Sequence, residues 1–279
     1  MIRIGARAHD FGRHAPEELA RRLASKGMTC AQLAVNKAIA GLDLKAGDMN
    51  PGLAWHIGQA FQKHGVQIAV LGCYINPANP DPVTRGQSLQ WFKDHLRYAR
   101  DFGCAIVGLE TGTPTVDYSP HPDTHAEPAF QTMLASIAEL VECAENHGAI
   151  VCIEAVTVHT VSTPRRMKRV LDTIKSPNLQ VIFDPVNLIN QDNYKDQDQI
   201  MQESFDLFGD RIAIIHAKDF KIDNGVYKQV KTGEGILNHK LFMNWVTTRK
   251  PGISILLEEA SEETAEACAK YIRDAAGIG

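Results

Sequence analysis

Four residues of this chain share one arrangement. Glu154, Asp184, His216 and Glu258 each follow directly on a short apolar run: Ala149–Ile153, Leu179–Phe183, Arg211–Ile215 and Ile253–Leu257. Carboxylate oxygens suit hard divalent cations, and an imidazole nitrogen widens the choice toward Mn²⁺, Co²⁺ or Zn²⁺. The four lie 30, 32 and 42 positions apart, close to the length of one strand-plus-helix unit. In a parallel barrel the C-terminal ends of the strands converge on one face. Three acids and a histidine on four successive strand ends would therefore make a mononuclear cation site.

Such a site needs eight strands with helices between them, and the chain supplies candidates. Strand-like runs at Ile2–Ala8, Met28–Val35, Val66–Tyr74 and Cys104–Glu110 precede the four already named. Helical segments are expected from Pro16 to Lys26, Pro51 to His64, Ser88 to Phe102 and Ala129 to His147. Further helices are expected after Pro164, over Asp196–Phe208 and His239–Arg249, and over Glu262–Ala276. The signals are prolines at first helical positions, Thr163 as an N-cap, and glycines such as Gly65, Gly103 and Gly148 at the stops. The Pro-rich stretch Asn76–Pro82 reads as a loop, and so does the polar excursion Lys218–Asn238. Strict alternation of eight strands and eight helices implies an α/β fold, a parallel eight-stranded (βα)8 TIM barrel. An open doubly wound sheet would place a Gly-rich phosphate loop after its first strand, and Gly5-Ala-Arg7-Ala-His9 is not one.

At 279 residues the chain matches one such barrel of about 250 residues, so 1–279 reads as a single domain. A formal charge of −4 disfavours a general nucleic-acid or anionic-membrane binder. The basic cluster Arg165–Arg169 reads as the solvated face of a helix. The six cysteines form no CxxC pair and sit mostly in apolar runs, as reduced core residues do. No run approaches transmembrane length and the N-terminus lacks a signal-like apolar stretch, which makes a cytoplasmic location the default expectation.

The segments Ile153-Glu154, Phe183-Asp184-Pro185-Val186-Asn187-Leu188, Ile215-His216-Ala217-Lys218-Asp219 and Leu257-Glu258, with Gly233-Glu234-Gly235, resemble the xylose-isomerase-like superfamily of sugar isomerases and epimerases. The resemblance is carried by motifs in the C-terminal half and by topology in the N-terminal half. It implies one divalent metal ion (Mn²⁺, Co²⁺, Mg²⁺ or Zn²⁺) held by Glu154, Asp184, His216 and Glu258. The substrate implied is a small sugar or polyol, whose developing enediolate the metal stabilises as a Lewis acid. Glu154 and Glu258 match the two glutamates that move the proton. Gly233-Glu234-Gly235 reads as a tight turn, since glycine permits positive φ; the resemblance implies that this loop shapes the pocket wall, with Glu234 either orienting other residues or serving a structural role. Asn187 stands where related proteins often carry histidine, a departure that bears on a metal-water or substrate contact.

Other residues are weaker candidates for substrate contact. Lys218 would hold a substrate oxygen or phosphate, or else pair with the adjacent Asp219. His159 follows the fifth strand and either touches substrate or faces solvent. Glu110 and His9, with Tyr74, end other strands and would line the mouth, whereas Trp91 reads as helix packing. His216 is expected to need a partner on its second ring nitrogen.

Three rival functions share the scaffold. A lyase that dehydrates a cyclic polyol ketone or a dehydroshikimate-like acid would use the same metal and carboxylates. A barrel retained for binding alone would keep the fold without turnover. An abasic-site endonuclease of the same superfamily would need a basic groove and further histidines at strand ends, and apart from His9 and His216 the eleven histidines lie elsewhere. The expected partner is the small-molecule sugar or polyol, with no nucleic acid and no membrane. A homo-oligomer is compatible with the sequence, which does not specify one.

Overall fold

A computed structural model describes residues 2–278. Its strands in chain order are β1 (Arg3–Arg7), β2 (Cys30–Leu33), β3 (Gln67–Gly72), β4 (Ile106–Glu110), β5 (Ile150–Glu154), β6 (Leu179–Phe183) and β7 (Ile212–Ala217). A two-stranded ribbon follows, β8 (Asp219–Asp223) and β9 (Val226–Val230), and then β10 (Ser254–Leu257). β1 to β7 and β10 pair in parallel, each with its neighbours, and β1 pairs with β10 to shut the circle, Ile4 opposite Ile255 and Ala6 opposite Leu257. This is a (βα)8 TIM barrel.

The crossovers are α1 (Pro16–Ser25), α2 (Val35–Ala38), α3 (Pro51–Lys63), α4 (Pro82–Tyr98), α5 (Glu127–His147), α6 (Pro164–Thr173), α7 (Gln197–Phe208), α8 (His239–Arg249) and α9 (Ala265–Ala275). Three of them start in the same way. Asn50, Asp81 and Thr163 each accept a hydrogen bond from a backbone N–H of the first turn, and each is followed by a proline that needs no partner there.

The structure corrects three expectations. α4 begins at Pro82 rather than Ser88, because Asp81-Pro82 at the end of the presumed loop is itself a cap. The expected end of the second strand, Val35, opens the short helix α2 instead. The excursion after Lys218 is not plain loop: β8 and β9 pair antiparallel across the turn at Asn224-Gly225, where both residues have positive φ, as a two-residue hairpin requires.

Two apolar layers hold the barrel. Between strands and helices, Phe183 meets Phe205, Phe208 and Phe242 edge-on, with ring centroids 5.7, 6.0 and 5.8 Å away. Inside the barrel, Cys30, Val70, Cys152, Ile182, Ile214 and Leu256 form a separate cluster that fills the lumen. Gly108 lies beside it, where a Cβ would come within 2.6 Å of the Ile182 methyl, so β4 contributes no side chain at this level. The lumen is therefore a packed floor, and whatever binds must sit above it.

Candidate metal centre

Side chains along a strand point inward at every second residue. Two positions beyond the lumen cluster, the same inward face carries Gln32 on β2, Glu154 on β5, Asp184 after β6, His216 on β7 and Glu258 after β10. Two positions beyond Gly108, in line, is Glu110, and two beyond His216 is Lys218. The floor residues thus position a ring of polar groups at the C-terminal mouth.

Within that ring Glu154, Asp184, His216 and Glu258 are all buried, and one ligand atom from each lies within 4.8 Å of the others. His216 Nδ1 is 3.2 Å from Glu154 Oε1 and 2.9 Å from Glu258 Oε1. Its other nitrogen, Nε2, is 2.7 Å from Gln32 Oε1. With Nε2–H donating to that amide oxygen, the Nδ1 lone pair is free to face the cluster. Lys218 Nζ lies 2.9 Å from Glu258 Oε2 and 3.1 Å from Asp184 Oδ2. Arg7, on β1, adds a second cation 3.5 Å from Glu258.

The electrostatics follow from this crowding. Burial alone would lower the His216 pKa, but the Glu154 and Glu258 carboxylates outweigh it and push it up to about 10. Burial pushes Asp184 up to about 6 in spite of the Lys218 ammonium. Glu258 moves the opposite way: burial opposes its charge, yet Lys218 and His216 together hold it well below the usual carboxylate range.

These residues fit a divalent cation. Asp184 Oδ2 is buried and receives no hydrogen bond, since the nearby ammonium lies outside bonding geometry. The Lys218 ammonium 3.1 Å away offsets its charge but leaves its hydrogen-bonding capacity unused, so this oxygen can still take a cation. Three oxygen donors and a nitrogen within reach of one point match Mg²⁺, Mn²⁺, Co²⁺ or Zn²⁺. A cation on Nδ1 would take the place of the His216 proton.

A family model described as "Xylose isomerase-like TIM barrel" matches residues 20–275. The chain belongs to the xylose isomerase-like TIM barrel family. No curated protein matches it significantly. Among solved structures, a xylose isomerase-like TIM barrel protein from Mycobacterium smegmatis in complex with magnesium is 12% identical, covering 99% of this chain and 98% of its own, with a TM-score of 0.75. D-psicose 3-epimerase with D-tagatose from Clostridium cellulolyticum H10 is 11% identical, covering 98% and 99%, with a TM-score of 0.72. The IolI protein with a zinc atom is 14% identical, covering 99% and 98%, with a TM-score of 0.72. At these identities the likeness is one of fold.

The remaining candidates in this xylose isomerase-like barrel fall into place unevenly. Asn187 is buried and its Nδ2 donates to Glu154 Oε1 at 2.8 Å. Glu110 stands opposite Glu154 in the β4–β5 register and accepts from Tyr118 Oη at 3.2 Å. His159 does not face solvent: it is buried, edge-on to the Tyr118 ring, with Nδ1 3.6 Å from Glu110. Burial brings its pKa down to about 4, so its ring is neutral at physiological pH. His9 lies in a short 3₁₀ turn after β1 with its ring edge toward Tyr74, and burial followed by the charges of Arg7 and Lys37 lowers it to about 4 as well.

Two alternatives are resolved. Of the two readings of Lys218, the pair with Asp219 falls away, because adjacent residues of an extended chain point to opposite faces; its partners are Asp184 and Glu258. Asp219 instead faces outward, 3.3 Å from His239, and accepts from the backbone N–H groups of Phe220, Gly233 and Leu237. Glu234 orients nothing in the mouth. It is exposed and paired with Lys231, while Gly235 is the informative residue of its loop: a Cβ there would collide with Phe220 O and the Asp219 carboxylate.

Gln32, Arg7 and Tyr118 are site residues that the sequence reading did not single out. Gln32 carried a usable signal, a lone polar residue within the apolar run Cys30–Val35. Tyr118 carried none, as it sits in an irregular loop.

Proposed function

We propose that this barrel is a divalent-metal-dependent isomerase or epimerase acting on a sugar or polyol. The observation that carries the proposal is the buried convergence of Glu154, Asp184, His216 and Glu258 at the mouth of a closed barrel. The bound cation would polarise the substrate carbonyl as a Lewis acid.

The protein's own residues would handle the proton. Glu154 and Glu258 both reach His216 Nδ1, at 3.2 and 2.9 Å, so a carbon held beside the pair can lose a proton to one carboxylate and take a different proton from the other in its acid form. The two are not equivalent. Glu258 is flanked by Lys218 and Arg7, which stabilise its anion and make it a poor base. Glu154 has neither neighbour and is oriented by the Asn187 amide. Glu154 is accordingly assigned to proton removal from the stable substrate, and Glu258, which must first take up a solvent proton because Lys218 and His216 keep it ionised, to proton return. Asn187, Glu110 and His159 are assigned to substrate hydroxyls, and His9 to the rim.

Named neighbours of the same fold support epimerisation: D-psicose 3-epimerase is one, and neighbours bind magnesium or zinc. None of these three neighbours is named as a dehydratase, and the lyase alternative is not favoured. The test is deuterium incorporation from heavy water into free ketoses, followed by NMR with Mn²⁺, Co²⁺, Mg²⁺ or Zn²⁺ supplied. Exchange at the carbon beside the carbonyl is expected. Its absence across all metals and ketoses would sink the reading.

A further inference from the structure

A second cavity opens on the same face of the barrel. It measures about 660 Å³ and lies between the first half of α4 and the loops that follow β2, β3 and β4. Thr84, Gln87, Ser88 and Trp91 line it from α4, spaced so that they share one stripe of the helix. Tyr74 lines it from the β3 side. A helix on the outside of a barrel would ordinarily show such a stripe to bulk water, but here it forms one wall of a cleft.

The cleft adjoins the proposed reaction site through one side chain. Tyr74 Oη accepts from Gln32 Nε2, and Gln32 Oε1 is 2.7 Å from His216 Nε2. Gln32 and Tyr74 thus stand between the cluster and the cleft, and a substituent on a ketose held at the cluster would pass over Tyr74 to enter it. The volume falls within the range that houses a complete small ligand, and it lies outside the cation cluster. The reacting sugar alone leaves it vacant.

The lining chemistry narrows the occupant. Trp91, and the face of Tyr74 that the Lys37 ammonium does not cover, offer aromatic surface for the apolar face of a sugar ring. Among the described residues, neither Gln87 nor Ser88 uses its side chain in an internal hydrogen bond, and both groups can donate and accept, as sugar hydroxyls do. Asn76, by contrast, is committed to Thr113 and Thr115. Among the described residues no carboxylate lines the cleft; the cation in its lining is Lys45, an exposed residue, and Lys37 Nζ sits 4.1 Å over the Tyr74 ring. The cleft thus suits an uncharged, hydroxyl-bearing ring.

We propose that the cleft between Tyr74 and Trp91 is a second sugar subsite, and that the substrate is a glycosylated ketose rather than a monosaccharide. This rests on the isomerase or epimerase reading above. The outer sugar reacts in no step: it binds, and its binding holds the ketose in place.

The test uses the full-length protein loaded with Mg²⁺, probed with D-fructose and with the O-glucosyl-fructose isomers that retain a free ketone. Saturation-transfer NMR should show magnetisation reaching the glucosyl protons of at least one isomer. Solvent deuterium should enter that isomer's fructosyl unit with a kcat/KM at least tenfold above that of D-fructose. Ser88→Trp, whose ring has open cleft to fill, should lower the ratio of the two kcat/KM values tenfold or more. Gln87→Ala, at an exposed helix position, should lower it in the same direction. Exchange with D-fructose but no saturation of any glucosyl ring would overturn the subsite and leave the reading of the reaction intact. Saturation of a glucosyl ring with no exchange in any probe would keep the subsite and defeat the reading of the reaction. No saturation and no exchange would overturn both.

Discussion

Gln32 and His216 reach each other across the barrel, the amide oxygen of β2 lying 2.7 Å from Nε2 of the β7 histidine. That contact fixes which imidazole nitrogen faces the carboxylates. A hydrogen-bond partner on the far ring nitrogen tunes a metal-bound histidine, and its loss costs about 10–100-fold in metal affinity. Gln32→Leu should therefore weaken Mn²⁺ or Zn²⁺ binding by that factor while leaving the stoichiometry at one. Calorimetric titration measures both, and unaltered affinity would remove Gln32 from the site.

Lys218 is the counter-charge of the metal-free cluster, touching Asp184 and Glu258 from one ammonium. Breaking a buried ion pair by deleting one partner costs on the order of 3–5 kcal/mol. Lys218→Met should accordingly lower the Tm of the metal-free protein, and saturating Mn²⁺ should recover most of the loss. Equal Tm values for the metal-free wild type and variant would show that the ammonium is not needed to offset the carboxylates.

Asp219 is a structural carboxylate one residue beyond that lysine. Burial works against its charge, but His239 and the N–H groups of Leu237 and Phe220 hold its pKa below the ordinary carboxylate value. A depressed carboxylate stabilises the fold above its unfolded pKa of about 3.9, and that contribution fades as pH falls from there through the folded pKa. Denaturant midpoints should show Asp219→Asn clearly less stable than wild type at pH 7, with the gap closing in acid. A gap constant from pH 7 to 3 would contradict this. Gly235→Ala should loosen the same loop, since its methyl meets the Asp219 carboxylate.

Glu154 and Glu258 differ in their cationic neighbours, so their glutamine variants should fail differently. Glu154→Gln should lose at least about 100-fold in deuterium exchange from the stable substrate, the scale of a missing general base. Glu258→Gln should also lose turnover, but retain more residual wash-in of deuterium if Glu154 still removes the proton. Full exchange in either variant would end its assignment.

How much of this was legible in the sequence follows from strand periodicity. Apolar runs ending on Glu154, Asp184, His216 and Glu258 announced both the barrel and the cluster, because a lumen-facing run must expose its next inward residue at the mouth. The same rule applied to β2 would have found Gln32, two residues past Cys30, and applied to β1 would have found Arg7, two past Gly5. For Lys218 adjacency in sequence suggests Asp219 as the alternative partner, but alternation turns the two to opposite faces and brings Lys218 to Asp184 and Glu258. The Asp81-Pro82 cap was hidden by the prolines before it. Tyr118, meeting Glu110 from an irregular loop, was not recoverable, because loop side chains are aimed by tertiary contacts rather than by any period.

The most direct test of the central claim is elemental analysis of the protein purified without added metal and after incubation with Mn²⁺ or Co²⁺, beside the Glu154→Gln/Glu258→Gln double variant. About one divalent ion per chain in the wild type, and none retained by the variant, is the result that four converging strand-end ligands predict. No ion in the wild type even after incubation, or equal content in both proteins, would contradict it.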